Sequence, residues 1–408
     1  MHTLDTGNTA WMLTSTALVL FMTLPGLALF YGGLVRTKNV LSVLMQCFSI
    51  TALVTVLWVA VGYSLVFAPN ASPGLAPYIG GLQKAFLAGV GRDALVGSVP
   101  ETVFCMFQLT FAVITPALII GAFAERVRFS AMLLFMALWS LVVYVPVAHW
   151  IWGGGWLQQM GALDFAGGIV VHVSAGVAGL VTALYAGKRK GYPDTPMLPH
   201  SLTLSVVGAG MLWMGWFGFN AGSAMAANGQ AGMAVAVTQI SAGVAAMVWL
   251  FVEWRKHGRP SVLGIITGAV AGLATITPGS GYVNAAGAMA IGAVAGLVCF
   301  LGATTLKRRM GYDDSLDAFG VHGIGGLIGS ILTGAFAAQA LGGSENVLPS
   351  KQLVVQVIAC GVTAAWSAAL TWGCIKVADL AFGFRVDEEE ETVGLDLTAH
   401  EERGYDFN

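Results

Sequence analysis

The sequence predicts an all-α polytopic membrane protein of eleven transmembrane helices, built as an inverted 5+5 repeat plus one C-terminal helix. Three observations carry that expectation. First, 56% of the 408 residues are hydrophobic and only 10% are charged, with a mean hydropathy of +0.76. A soluble domain carries about 25% charged residues. Second, the chain divides into eleven apolar runs, each long enough to cross a hydrocarbon core roughly 30 Å thick. Third, the basic residues alternate sides along those runs, and one acid-to-histidine spacing occurs once in each half. The formal net charge is only −2, and no basic face exists to hold a nucleic acid.

In chain order the runs lie at about 11–34, 40–67, 101–122, 129–149, 167–187, 200–219, 229–252, 261–277, 283–306, 319–338 and 351–382. The first ten residues hold no Lys or Arg and so lack the basic start of a signal peptide. Arg36 and Lys38 follow the first run, Arg126 and Arg128 the third, and Lys188 to Lys190 the fifth. Arg255, Lys256 and Arg259 follow the seventh, Lys307 to Arg309 the ninth, and Arg385 and Arg403 the eleventh. Together these are 15 of the 19 Lys and Arg. Lys84, Arg92 and Lys351 fall on the other side, while Lys376 sits within the last run, where a long stem can snorkel. The positive-inside rule then puts the N-terminus outside and the C-terminus in the cytoplasm.

Composition adds two points. Glycine makes up 54 of the 408 residues, and GAVAG occurs at 268–272 and again at 292–296. Small residues four apart let membrane helices approach closely. The cysteines, Cys47, Cys105, Cys299, Cys360 and Cys374, are scattered through apolar segments without metal or redox spacing, and read as packing.

The recurring spacing is Asp164 to His172 and Asp314 to His322. Eight helical residues rise about 12 Å and return to nearly the same face. Run five starts outside and run ten starts inside, so the two histidines are expected to meet near mid-membrane. An ionisable side chain at that depth is costly and marks a functional site. Each neutral imidazole keeps one donor and one acceptor nitrogen, a thin polar rail in an apolar pore. A metalloenzyme is excluded by pattern, because HExxH is absent and no carboxylate stands four residues from either histidine. His149 and His200 are boundary residues with no assigned role.

Asp164 precedes two glycines and reads first as an N-cap. A fixed charge there also favours a cation near the entrance. Aromatics gather at the expected outer ends: Phe107 and Phe111 on run three, Trp152 on run four, Trp216 and Phe219 on run six, with Ser223 beyond. A desolvated cation gains about 2 kcal/mol or more from an aromatic face, Trp best. Two soluble pieces remain. Residues 68–100 form an outer loop rich in Gly, Pro and Ala, and residues 386–408 form an acidic tail, read as a largely disordered solvated end or as a docking segment for a cytosolic partner.

Several long stretches carry a family likeness: ALFYGGLVRTKNVLS (28–42), AERVRFSA (124–131), AHWIWGGG (148–155), GALDFAGG (161–168), GWFGFNAGSA (215–224), TPGSGYV (277–283), DAFGVHG (317–323) and ADLAFGFRV (378–386). With these in order the chain resembles the ammonium transporter (Amt/Mep/Rh) family, bacterial Amt branch. The resemblance implies a transport domain over 1–385 and the acidic cytoplasmic tail at 386–408. It implies a homotrimer in a bacterial plasma membrane, each subunit with its own pore, no cofactor, and no enzymatic reaction. Phe107, Trp152 and Ser223 match the family's outer ammonium site. Phe111 and Phe219 match its stacked gate, His172 and His322 its pore pair, and Asp164 the acidic residue near the outer site. Trp216 is taken as part of the entrance. A PII-type signalling protein is the implied cytoplasmic partner.

On this reading ammonium is collected at the outer aromatics, sheds its proton, and ammonia crosses along the two histidines. Two alternatives stand beside it. One is an ammonium sensor with little flux. The other is a neutral-gas channel of the Rh type, against which the presence of Trp152 argues.

Overall fold

The computed structural model describes residues 3–406. Among them are eleven helices long and apolar enough to cross a membrane. These are α1 (Thr6–Leu34), α2 (Thr37–Phe67), α3 (Glu101–Phe123), α4 (Phe129–Gln159), α5 (Gly168–Ala186), α6 (Leu202–Gly222), α7 (Gly229–His257), α8 (Val262–Gly279), α9 (Ala285–Met310), α10 (Phe319–Phe336) and α11 (Pro349–Phe382). All eleven match the expected runs. The largest difference is in α4, which continues past 149 to Trp152, breaks at Gly153–Gly155 and adds the turn Trp156–Gln159. Side-chain caps start several helices: Asp5 on α1, Ser201 on α6, Asn228 on α7, Ser261 on α8 and Asn284 on α9.

Helices α3, α5 and α8 are the most buried and form the centre of the bundle, whereas α11 is the least buried. Close approach depends on glycine. A methyl at Gly268 or Gly272 of α8 would come within 2.6 Å of Trp249 Cβ and 2.5 Å of the Ser241 carbonyl oxygen. At Gly292 and Gly296 of α9 it would meet the Ser241 and Ala245 carbonyl oxygens at 2.7 and 2.6 Å. Both GAVAG motifs therefore grip one ridge of α7.

The same device crosses α5 with α10. A Cβ on Gly326 would lie 2.8 Å from both the Gly168 carbonyl oxygen and His172 Cβ, and one on Gly176 would lie 2.2 Å from Gly323 Cα. As residue number rises along α5 it falls along α10, so the two helices run in opposite directions. Each begins with a π-helical stretch, Gly168–Val173 and Phe319–Gly323, and each stretch holds a histidine. Such widened turns recur at functional sites.

The 68–100 loop is ordered by turns and a short hairpin, β1 (Leu95–Val96) with β2 (Val99–Pro100). It lies on the face that carries Thr6, termed here the amino face; the carboxy face carries the C-terminal tail. His149 holds this loop to α4, its ring lying 2.7 Å from the Val66 oxygen and 2.8 Å from the Ala76 oxygen.

The tail departs from the expected disordered end. It folds into α12 (Glu388–Val393) and α13 (Leu395–His400). Asp387 and Glu390 form a capping box on α12. Glu391 accepts from Arg385 at 2.9 Å, and Asp396 accepts from the Leu41 and Ser42 amides at 3.1 and 2.8 Å, capping α2. Acidic residues that would repel one another in water are spent on helix ends and guanidinium groups.

Candidate functional site

Three cavities stand in file through the helix bundle. The first, about 310 Å³, opens at the amino face among Phe104, Gln108, Phe111, Trp152, Phe165 and Ser223. Its floor is Phe111, stacked on Phe219 with ring centroids 4.2 Å apart and planes 28° apart. Behind the stack lies a lumen of only about 10 Å³, walled by Leu118, His172, Trp216, Phe219, Val270 and His322. That is about the space of one water molecule. Phe30, Val270 and His322 also line the third cavity, about 280 Å³, which reaches Arg189, Lys307 and Asp317 on the carboxy side.

Asp164 organises the amino end. Its carboxylate accepts four backbone amides: Gly167 at 2.9 Å and Gly168 at 2.6 Å on Oδ1, Ile169 at 2.8 Å and Val170 at 2.9 Å on Oδ2. These are the donors a helix start leaves unpaired, and the negative charge also suits the positive end of the dipole. Gly167 supplies the positive φ, +110°, that turns the chain beneath the carboxylate. The Asp164 carbonyl oxygen in turn accepts from Trp152 Nε1 at 2.9 Å. One residue thus starts α5 and orients the indole, which meets Phe111 edge-on at 5.6 Å. The carboxylate is buried and its role is the N-cap.

Ser223 donates its hydroxyl to the Phe219 carbonyl at 2.9 Å, so its oxygen lone pairs remain for a donor in the vestibule. Phe107 is buried one helical turn nearer the amino face than Phe111 and meets its ring edge-on, with centroids 5.0 Å apart.

The two pore histidines meet. Their rings are nearly parallel, 18° apart, with centroids 5.2 Å apart. Both are buried, and both ring nitrogens of His172 and Nδ1 of His322 have no hydrogen-bond partner among the described residues. Trp216, taken with the entrance, lines the lumen below the phenyl stack. It stacks on His172 at 5.6 Å and donates to Thr277 Oγ1 at 2.9 Å, a turn deeper than Phe219. The helical phase explains this: α6 runs toward the amino face, so a residue three earlier lies about 4.5 Å deeper.

The carboxy end is charged. Arg189 bonds Asp313 with two nitrogens, at 2.9 and 2.8 Å, and Glu125 at 3.0 Å. Arg36 holds the other side of Glu125 at 3.0 Å, and Asn39 adds a bond at 3.1 Å. Burial alone would raise the Glu125 carboxyl, but Arg189 and Arg36 overcome it and hold it below the usual range. Asp313 is likewise raised by burial and pulled below its ordinary value by Arg189 and Arg126. Asp314 caps α10 by accepting from Ala318 at 3.0 Å and Phe319 at 2.8 Å.

Sequence reasoning did not single out Gln108 or Phe165 in the vestibule, nor the ion network below the pore. Helical phase offered a signal for Gln108, which sits between Phe107 and Phe111. The network joins four separate loops, and only tertiary structure brings them together.

The geometry has close parallels among known proteins. A family model described as Ammonium Transporter Family matches residues 10–405. The ammonium transporter of Bacillus subtilis (strain 168) is 48% identical over 405 residues, covering 98% of each chain. The structure of Candida albicans Mep2 superposes with a TM-score of 0.87 at 36% identity, over 95% of this chain and 88% of that one. A structure described as a sensor Amt protein superposes with a TM-score of 0.89 at 28% identity, over 97% and 98%.

Proposed function

This chain belongs to the ammonium transporter family, and from that membership we propose a route in which ammonium binds at the amino-face vestibule and ammonia crosses the lumen. The observation that carries the proposal is the file of vestibule, phenyl stack and paired histidines. The Trp152 face attracts the cation, and the Ser223 oxygen accepts one of its N–H groups. Phe107, one turn nearer the amino face, supports the same site by packing edge-on against Phe111.

The stacked rings of Phe111 and Phe219 exclude hydrated ions. Taking a full charge through the dry lumen would cost several kcal/mol or more. Ammonium avoids that cost by leaving its proton on the vestibule side, so that neutral ammonia moves past the rings. The unpartnered nitrogens of His172 and His322 then give the passing molecule hydrogen bonds that the apolar walls lack. Potassium has neither N–H groups for Ser223 nor a proton to shed, so it is refused on the same terms.

The amino face is proposed to lie outside and the carboxy face in the cytoplasm of a bacterial plasma membrane, following the distribution of Lys and Arg. A homotrimer, and docking of a PII-type signalling protein on the carboxy face, follow from the family likeness. The test of the route is the double substitution His172→Leu with His322→Leu in proteoliposomes. Methylammonium uptake is expected to fall at least tenfold; unchanged uptake with unchanged refusal of potassium refutes it.

The similarity to a sensor Amt protein favours a second reading, an ammonium receptor with little flux. Purified wild-type protein separates the two. Saturable uptake supports the transporter, whereas ammonium binding without uptake supports the receptor.

A further inference from the structure

The helix outside the repeat, α11, carries two glutamines four residues apart on its inner face, and the proposed route gives them no task. Gln356 is fully buried and Gln352 nearly so. The Gln356 amide pairs with both main-chain groups of one residue, accepting from the Leu163 amide at 2.8 Å and donating to the Leu163 carbonyl at 2.7 Å. The same Nε2 donates to the Ser330 carbonyl of α10 at 3.0 Å. Gln352 donates to the Gly161 carbonyl at 2.8 Å and to Gln356 Oε1 at 3.3 Å.

The residue after Leu163 is Asp164. Its carboxylate starts α5, the helix of His172, and its carbonyl aims the Trp152 indole. Ser330 lies eight residues beyond His322 on α10. One amide therefore ties together the segment that orients the vestibule tryptophan, the start of one histidine helix and the body of the other. A rigid partner of this kind is what keeps a binding group within a fraction of an ångström of its working position.

We infer that Gln356, seconded by Gln352, is a positioning residue for the ammonium site and acts through Leu163 and Asp164 on the Trp152 ring. This rests on the transport reading above. It assigns the helix outside the repeat a part in setting affinity, beyond closing the bundle.

The experiment measures methylammonium uptake against concentration in proteoliposomes of the full chain. Gln356→Met keeps nearly the native volume and removes the amide. Half-saturation is expected to rise roughly tenfold, with maximal uptake per inserted molecule kept within about twofold. Gln352→Met, which loses only the bonds of Gln352, shifts half-saturation about two- to threefold. On a Trp152→Leu background Gln356→Met adds nothing, because the two act on one contact.

Half-saturation that stays put while yield or melting temperature falls makes the amide a packing element and overturns the inference. Full additivity with Trp152→Leu also overturns it. If Gln356→Met is not recovered folded, Gln352→Met decides on the same readout. Failure of the transport reading is distinguishable, since wild-type protein without uptake, or uptake indifferent to Trp152→Leu, appears before any glutamine is changed.

Discussion

Asp164 and Asp314 stand the same distance ahead of the two pore histidines, yet their surroundings differ. Asp164 takes four amides, has no ion pair among the described residues, and sits beside aromatic rings. Asp314 takes two amides and lies next to a lattice of Arg189, Asp313, Glu125 and the Lys307–Asp317 pair at 2.7 Å. The repeat reproduces the backbone device and varies what is built on it. One end is lined by aromatic rings, which on the proposed route collect a small cation. The other is lined by paired charges, where the proposed route releases its cargo to water.

The most severe way to break that comparison is to remove each carboxylate. Asp164→Ala strands four buried amides beside the main-chain carbonyl that holds Trp152. It is expected to cost of order 3–5 kcal/mol of stability and to abolish uptake through the loosened start of α5. Asp314→Ala strands two, with a loss of about 1–2 kcal/mol and partial uptake. Melting curves in detergent check both, and equal losses would erase the distinction between the ends.

Next is the crossing of the two histidine helices. Gly176→Ala drives a methyl against Gly323 and should cost about 1–3 kcal/mol by overpacking, with uptake reduced. Gly361→Ala on α11, where a Cβ meets nothing within 4 Å, should be neutral in melting temperature. A neutral Gly176→Ala would mean that the crossing is looser than drawn.

Third, Trp152→Leu removes the ring face at the aromatic end alone. Half-saturating methylammonium should rise about tenfold, the equivalent of roughly 1.4 kcal/mol, while melting temperature changes little. The reverse pattern would make the indole a structural prop.

The smallest effect belongs to the charged end and appears with acid. Glu125 and Asp313 are held below their unfolded values, so their contribution is full above the unfolded carboxyl range, about pH 4 to 4.5, and fades as pH falls through the folded values. Melting temperature should be level from about pH 7 to 5 and drop below about pH 4. Arg189→Met should lower it at neutral pH and flatten the acid limb. An acid limb unchanged by that substitution would assign the loss to other carboxylates.

Much of this was legible beforehand because a membrane imposes simple rules. Span lengths follow from its thickness, and the opposed directions of α5 and α10 followed from Lys and Arg counts. The meeting of His172 with His322 needed only the shared spacing and those directions. What sequence left dark depends on distant partners. The tail looked solvated because its acids were counted as charges, whereas Asp396 is a cap for amides at Leu41 and Ser42. The D-x-x-E of its capping box was readable at 387–390. Trp216 was misplaced by one helical turn, which its three-residue offset from Phe219 could have shown. Gln352 and Gln356, polar residues four apart on an apolar span, were a visible anomaly whose partner at Leu163 only the fold supplies.

The inward glutamines of α11 also bear on how the molecule is made. Among the described residues this is the last membrane-spanning helix to leave the ribosome, and until it arrives the amide and carbonyl of Leu163 lack the partner that Gln356 provides. Ten helices can thread into the bilayer and still hold an unfinished vestibule. Synthesis interrupted before Pro349 would then yield an embedded but idle product, so that activity itself reports translation through α11.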